Sequence, residues 1–454
     1  MINIQHQLID YSLFEKYEKS YFCENKILPY YEDDICLKVA VCNNSKLHNI
    51  DEKFNKLIKY TKLDELDLMF VLSNLEVKIK LFTLSNTLLY DTSSNNSLLE
   101  IFLDELLGFA IKLRTSDIHI EQYEDLILFR FRIDGRLKTF FIMKKELFKP
   151  FSSYIKLISN LDITQVRLPQ DSRFSFLINE FEYNFRVSTM PTLNSESIVI
   201  RILDKKNVDK SLKDLGLCSN LFLKLKQSLL LNQGLILITG PTGSGKTTTL
   251  YSILKELKSH EKKIITVEDP VEYKIDSIQQ IAVNTKIGLS FDLILKNILR
   301  QDPDIILIGE IRDKFSLDIA LQASLTGHLV IASIHANNAL ETISRLVDLK
   351  ADPFLISSCL KLVMAQRLVL NFCKECKGEG CEICSYTKFY DRSCIAELLE
   401  VDENISSMIF KKSDLNEIKK YLNTINFKTL LDDGKQKAKE NITSLEEVYK
   451  VVSF

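Results

Sequence analysis

Two things are missing from this 454-residue chain: any long basic tract and any long apolar run. Its 59 Lys and Arg are interspersed with 61 Asp and Glu, giving a formal net charge of −2. That balance carries no electrostatic footprint for nucleic acid or an anionic membrane. No apolar stretch approaches the ~18 residues of a spanning helix. The first residues, Met1-Ile-Asn-Ile-Gln-His6, lack the basic and apolar regions of a secretory signal. A cytoplasmic protein without a signal peptide is therefore expected. Of ten cysteines, four fall within Cys373 to Cys384 and the rest are scattered, which points to a metal site in a reducing compartment.

What is present is ordinary globular composition, 46% hydrophobic and 26% charged, in a length that suggests about three domains. One stretch stands out. The apolar run Leu235 to Ile238 has the length and character of a buried parallel strand. It leads into Gly240-Pro241-Thr242-Gly243-Ser244-Gly245-Lys246-Thr247, which fits G-x-x-x-x-G-K-[ST] at every fixed position. Thr248 to Leu257 follows with helical spacing. The glycines let the backbone approach a phosphate closely. The loop amides then converge at a helix N-terminus whose dipole favours an anion. Lys246 reaches the outer phosphates and the Thr247 hydroxyl can ligate Mg²⁺.

Taken in order, residues 1 to about 90 alternate short strand-like and helical runs. Ile35 to Val41 reads as a strand and Glu65 to Phe82 as an apolar helix or helix–strand pair. The polar stretch Asp91-Thr-Ser-Ser-Asn-Asn-Ser97 reads as a linker and sets the first boundary there. The second segment, 98 to about 205, opens with an amphipathic helix and continues as a mixed α/β domain. Its run Leu126 to Leu137 alternates sides around Asp134-Gly135, a strong hairpin signal. From about 208 to 454 the pattern becomes strand–helix alternation, as in a parallel sheet covered by helices. Candidate strands are Leu235–Ile238, Ile264–Val267, Ile305–Ile308 and Leu329–Ser333.

Ligands of such sheets bind at the carboxyl ends of the strands, where the chemistry-bearing residues of this chain fall. Glu268 follows the second strand, Glu310 the third and His335 the fourth. Hydrolysis of a nucleoside triphosphate needs a carboxylate at the Mg²⁺, another at the attacking water and cations at the γ-phosphate. In Asp304-Ile-Ile-Leu-Ile-Gly-Glu310 the usual penultimate aspartate is Gly309, so Glu310 serves the metal side through water. Glu268 is then the water-orienting base and His335 a sensor of the γ-phosphate. His328, at the other end of the fourth strand, reads as structural as readily as catalytic. Cys373-x2-Cys376-x4-Cys381-x2-Cys384 supplies two thiolate pairs suited to tetrahedral zinc, with a redox pair as the alternative.

Together these motifs resemble the secretion ATPases of type II secretion and type IV pilus assembly. The likeness runs from about residue 98 to 454. It rests on Ser116-Asp-Ile-His-Ile-Glu121, Phe131-Arg-Ile-Asp-Gly135, Arg167-Leu-Pro-Gln-Asp171, Arg186-Val-Ser-Thr189 and Arg201-Ile-Leu-Asp204. In the last domain it adds the phosphate loop through Thr248, Val267-Glu-Asp-Pro-Val-Glu272, Leu299 to Asp313, Thr326 to Asn337, the four cysteines and the tail Asp432 to Val448. The resemblance implies a RecA-like ATPase domain preceded by a PAS-like α/β domain and a small N-terminal α/β domain, with a zinc-binding tetracysteine insert at 373–384. It implies a homo-hexamer using ATP and Mg²⁺, in which Arg173 and Arg186 reach the phosphates. Its expected partners are an inner-membrane platform protein and other machinery components, with no direct nucleic-acid contact and peripheral membrane association through partners. The tetracysteine insert favours an assembly or secretion motor over a retraction motor. Three positions depart from the family pattern: Ser195 stands for a glycine, Asp171-Ser-Arg173 for Asp-Gly-Arg, and Lys388-Phe-Tyr-Asp-Arg392 has lost both glycines. Two competing readings share the same site, a hexameric nucleic-acid translocase or helicase and a non-hydrolysing nucleotide-gated module.

Overall fold

The computed structural model describes residues 7–47, 50, 54–90, 95–193, 195–203 and 210–452. It divides into two compact units, Met1–Asp204 with Phe372–Asp391, and Lys205–Asn371 with Arg392–Phe454.

The first unit holds two sheets. In the smaller, β1 (Ile27–Glu32) is antiparallel to β2 (Cys36–Val41), which is parallel to β3 (Leu57–Lys62). Glu65 to Phe82 lies in two helices, Glu65–Leu72 and Leu75–Tyr90, separated by Asn74 at φ 59°. The break is stabilised by the buried Lys78, whose Nζ donates to the carbonyls of Phe70, Val71 and Ser73 at 3.0, 2.8 and 3.2 Å. These are the carbonyls that a helix C-terminus leaves without partners. Burial brings the Lys78 ammonium down to about 7.

The larger sheet comprises β4 (Thr115–Gln122), β5 (Leu126–Ile133), β6 (Arg136–Lys144), β7 (Gln170–Ile178), β8 (Phe181–Pro191) and β9 (Glu196–Leu203). Its order is β6-β5-β4-β9-β8-β7, antiparallel throughout. The hairpin at Asp134-Gly135 forms as its sequence predicts, with Ile133 opposite Arg136 and both turn residues at positive φ. One cluster of buried side chains runs from Ile9 to Ile202, and Phe102, Phe129, Phe141 and Phe151 pack ring against ring within it. The expected boundary falls within a helix-to-helix passage. The second of those helices begins at Asn95, and residues 91–94 of the linker lie outside the described residues.

The second unit is built on β10 (Gly234–Thr239), β11 (Ile264–Glu268), β12 (Gln279–Ala282), β13 (Ile305–Ile308), β14 (Leu329–Ile334), β15 (Leu360–Phe372) and β16 (Phe389–Glu400), in the order β12-β11-β13-β14-β10-β15-β16. The four strands read from sequence are neighbours at its centre, all parallel. Leu235 and Leu237 pack on one face, Ile236 and Ile238 on the other, which is why the strand is apolar at every position. Helices start at side-chain caps: Asp313, Asn338, Asp352 and Asp402 each accept a backbone N–H of the first turn. The buried Glu397 joins the helix capped by Asn338 to the helix Leu430–Lys439, accepting from Ala339 N at 2.6 Å and Leu430 N at 2.9 Å.

A buried ion pair closes the first unit. Lys156 Nζ lies 2.7 Å from Glu196 and also donates to Gln165 O at 2.9 Å. Removing one partner strands a buried charge, whereas replacing both with apolar residues is nearly neutral. Lys156→Met is expected to destabilise the unit by about 3–5 kcal/mol, and Lys156→Met with Glu196→Leu to recover most of that loss. Denaturant unfolding of both variants measures the difference.

Candidate functional site

Strand register determines what meets at the carboxyl edge of the central sheet. Leu237 pairs with Ala332, Ala332 with Ile308, and Ile308 with Val267, forming one row across four strands. Beyond that row come Glu268 on β11, Glu310 after β13, His335 after β14 and the phosphate loop after β10. The exits are tied together. Gly309 N donates to Val267 O and Ile311 N to Ser333 O, both at 2.8 Å. The Ser333 hydroxyl donates to Gly309 O at 2.6 Å. Thr239 accepts from Ala336 N at 3.0 Å, joining the phosphate-loop strand to the segment carrying His335.

In the loop, Gly240, Gly243 and Gly245 all have positive φ, at 151°, 79° and 88°. Gly240 is also hemmed in: a Cβ there would lie 2.5 Å from the Ser244 hydroxyl and 2.6 Å from Gln366 O. The helix Lys246–Leu257 starts at Gly245. Pro241, Thr242, Gly243 and Thr247 are exposed, and Ser244 is buried. Lys246 Nζ donates to Gly240 O at 2.7 Å and Pro241 O at 3.1 Å. Burial lowers its affinity for a proton, the charge of Glu310 opposes that, and Arg367 reinforces it. The loop lysine, Glu310 and Arg367 therefore share one electrostatic field.

The two carboxylates differ sharply. Glu268 is buried and accepts from Tyr251, from Thr266 Oγ1 at 2.5 Å and from Gln280 Nε2 at 3.2 Å. Tyr251 lies on the helix after the phosphate loop, and burial followed by its bond to Glu268 raises its pKa well above the usual range. Glu310 is more open, one oxygen 2.9 Å from Arg312 Nε and the other 2.9 Å from His335 Nε2. Arg312 also lies 3.9 Å from Asp269. The missing aspartate at Gly309 has a steric reason: a Cβ there would sit 3.0 Å from Val267 O and 3.4 Å from Glu268 Cα. His328 is a helix-end residue, its Nδ1 2.9 Å from Ala323 O at the opposite end of β14.

Arg173 and Arg186 belong to the first unit and stand directly opposite each other on β7 and β8. Arg186 in turn faces Arg201 on β9, so three guanidinium groups form a row in register. Arg201 is bound to Asp117 at 2.8 Å and Arg186 lies 3.7 Å from Asp171, leaving Arg173 as the outermost of the row.

The four cysteines converge. Their sulfurs all lie within 4.8 Å of one another, with 3.8 Å between Cys373 and Cys381, Cys376 and Cys384, and Cys381 and Cys384. Tetrahedral zinc with Zn–S of about 2.3 Å requires sulfur separations of about 3.8 Å, so the donor set fits. Gly380 N and Cys381 N donate to Cys376 and Cys384 sulfurs at 3.2 and 3.3 Å, favouring the thiolate. This loop, Phe372–Asp391, groups with the first unit although its flanking strands β15 and β16 belong to the seven-stranded sheet. There Arg114 covers the Tyr390 ring at 3.7 Å and Arg136 the Phe389 ring at 4.8 Å. The two positions that lack the family glycines, Lys388 and Asp391, still adopt positive φ, 70° and 65°. The turn persists without its usual residues, at a backbone cost of about 1–2 kcal/mol each.

Tyr251, Gln366 and Arg367 were not legible as site residues. A tyrosine inside a helix and a Gln-Arg pair inside an apolar strand carry no motif that sets them apart.

Residues 92–450 match the family model described as Type II/IV secretion system protein. The chain is similar to the type II secretion system ATPase E of Vibrio cholerae serotype O1, with 40% identity over 374 residues, 77% of this chain and 74% of that protein. Among solved structures it resembles the ATPase DotB of Legionella pneumophila, at 25% identity and a TM-score of 0.63 over 78% of this chain and 95% of that one. It also resembles the pilus retraction motor PilT with bound ADP, at 26% identity and a TM-score of 0.56 over 77% and 96%.

Purified without chelator, the protein is expected to carry about one zinc per chain, and Cys376→Ser with Cys381→Ser to carry none. Metal analysis by mass spectrometry decides, and a metal-free wild type would reject the tetracysteine site.

Proposed function

The chain belongs to the Type II/IV secretion system protein family, whose members are ATPases, and from that premise we propose that it is the ATP-driven motor of a type II secretion or type IV pilus assembly machine. The observation that carries the reading is the shared strand-end row, which brings Glu268, Glu310 and His335 to the phosphate loop at one sheet edge. Family membership sets aside the helicase reading, in keeping with the net charge of −2.

In the proposed site, the loop Gly240 to Thr248 would hold the phosphates of ATP, through the backbone N–H groups of its residues other than Pro241, Lys246 would neutralise the outer ones, and Thr247 with Glu310 would hold Mg²⁺. A Mg²⁺ held there would supply neutralisation of the charge on the nucleotide phosphates. His335, whose Nε2 lies 2.9 Å from a Glu310 oxygen, reports the presence of the γ-phosphate. Arg173 and Arg186 offset charge on the transferring group. Glu268 orients the attacking water. A second reading exchanges the carboxylates: Glu268 is buried and already accepts from three donors, while Glu310 is partly exposed and feels the charge of Lys246. In that case Glu310 orients the water and Glu268 fixes the strand end.

The proposal extends to a homo-hexamer recruited to the cytoplasmic face of the inner membrane through a platform protein. No helix among the described residues is long and apolar enough to cross a membrane. Zinc at Cys373, Cys376, Cys381 and Cys384 would act structurally, since four protein ligands leave no open coordination position.

The test is three single substitutions followed by ATP binding and phosphate release. Lys246→Ala is expected to lose both. Glu310→Gln and Glu268→Gln are expected to keep binding, and the one that orients the water to lose about 100-fold or more in turnover. Wild-type turnover in Lys246→Ala and in both glutamine variants would overturn the site.

A further inference from the structure

The strand after the motor's central four brings an unassigned side chain to the phosphate loop. β15 runs parallel to β10 with Ala365 opposite Thr239, so Gln366 lies beside Gly240, the first loop residue. Gln366 is buried, and its Nε2 donates to the main-chain carbonyl of Ser244 at 2.7 Å. Its Oε1 has no partner among the described residues, and neither does the buried Ser244 hydroxyl. Two unsatisfied buried polar atoms beside a phosphate loop are costly unless the loop uses them.

The following residue extends the connection. The Arg367 guanidinium donates to Gln366 O at 3.0 Å, to Asn337 O at 2.7 Å and to Val451 O at 3.2 Å. Asn337 lies two residues beyond His335, and Val451 ends the last helix of the unit. A single dipeptide thus touches the phosphate loop, the segment carrying His335 and the C-terminal helix.

We propose that Gln366 is a positioning residue for nucleotide binding: it anchors the Ser244 carbonyl so that the amides of Gly245 and Lys246 face the phosphates, and its free Oε1 accepts from the Ser244 hydroxyl when the loop closes on them. Carbonyl and amide of one peptide point in opposite directions, so fixing Ser244 O fixes the orientation of Gly245 N. Glycine at 240 and 245 leaves those two positions without a side chain to fix them, and the Gln366 amide supplies a constraint on the Ser244–Gly245 peptide from outside the loop. The proposal rests on the phosphate loop binding nucleotide.

The experiment measures dissociation constants for ADP with Mg²⁺ by fluorescence titration on the full-length protein, with thermal melting of the same samples. Lys246→Ala is the control; it must lose binding for the loop reading to stand, independently of Gln366. Gln366→Leu, which keeps the volume and removes the donor, is expected to weaken ADP binding about 5- to 30-fold. Its melting temperature without nucleotide should stay near wild type, and the stabilisation ADP confers should shrink. Gln366→Glu, which sets a carboxylate against Ser244 O, should weaken binding more, and decides the case if the leucine variant fails to fold. Wild-type ADP affinity in the folded variants would overturn the proposal, whether or not melting falls.

Discussion

Everything at the nucleotide site depends on the parallel alignment of β11, β13, β14 and β10. A parallel sheet sends successive strands out of the same edge, so residues placed after each strand meet without long loops. Here the row Val267, Ile308, Ala332 and Leu237 sets the height of that edge. A shift of one residue in any of these strands would turn its exit residue toward the opposite face. Continuous apolar strands buried on both faces are what prevents it, because alternate residues enter two separate cores.

The exits are held more tightly than the strands alone require. Hydrogen bonds at Gly309, Ile311, Ser333 and Thr239 cross-link the four exit segments, and Tyr251 ties Glu268 to the helix that begins at the phosphate loop. A change at the loop is thereby placed in mechanical continuity with both carboxylates. This suits an enzyme whose chemistry is mostly positioning and charge stabilisation. A side chain at position 309 would press its Cβ on the Val267 carbonyl, 3.0 Å away, which accounts for a glycine at the residue before Glu310.

Much of this was legible in the residues, for identifiable reasons. The four central strands are short apolar runs with no period, and three of the four end directly at a polar or glycine-containing stretch. The hairpin at Asp134-Gly135 and the convergence of four cysteines followed from turn chemistry and ligand spacing. β15 and β16 escaped because their apolar runs are interrupted by polar residues, such as Gln366 and Arg367 in β15, which pattern reading assigns to the surface. The placement of the tetracysteine loop with the first unit depends on Arg114 and Arg136 reaching Tyr390 and Phe389. Those partners lie 276 and 253 residues apart in sequence, and neither arginine advertises a stacking role. The arginine row was legible only in part: alternation placed Arg186 and Arg201 on strands, but their register with Arg173 emerges from the sheet order.

The central claim is that the phosphate loop and Glu310 form one Mg²⁺–nucleotide centre. Pulsed electron paramagnetic resonance tests it most directly, with Mn²⁺ in place of Mg²⁺ and ADP bound to the full-length protein. The account predicts one tightly held Mn²⁺ with phosphorus couplings from the nucleotide, lost in Thr247→Ala and altered in Glu310→Gln. Spectra identical to free Mn²⁺–ADP, or unchanged by both substitutions, would contradict it.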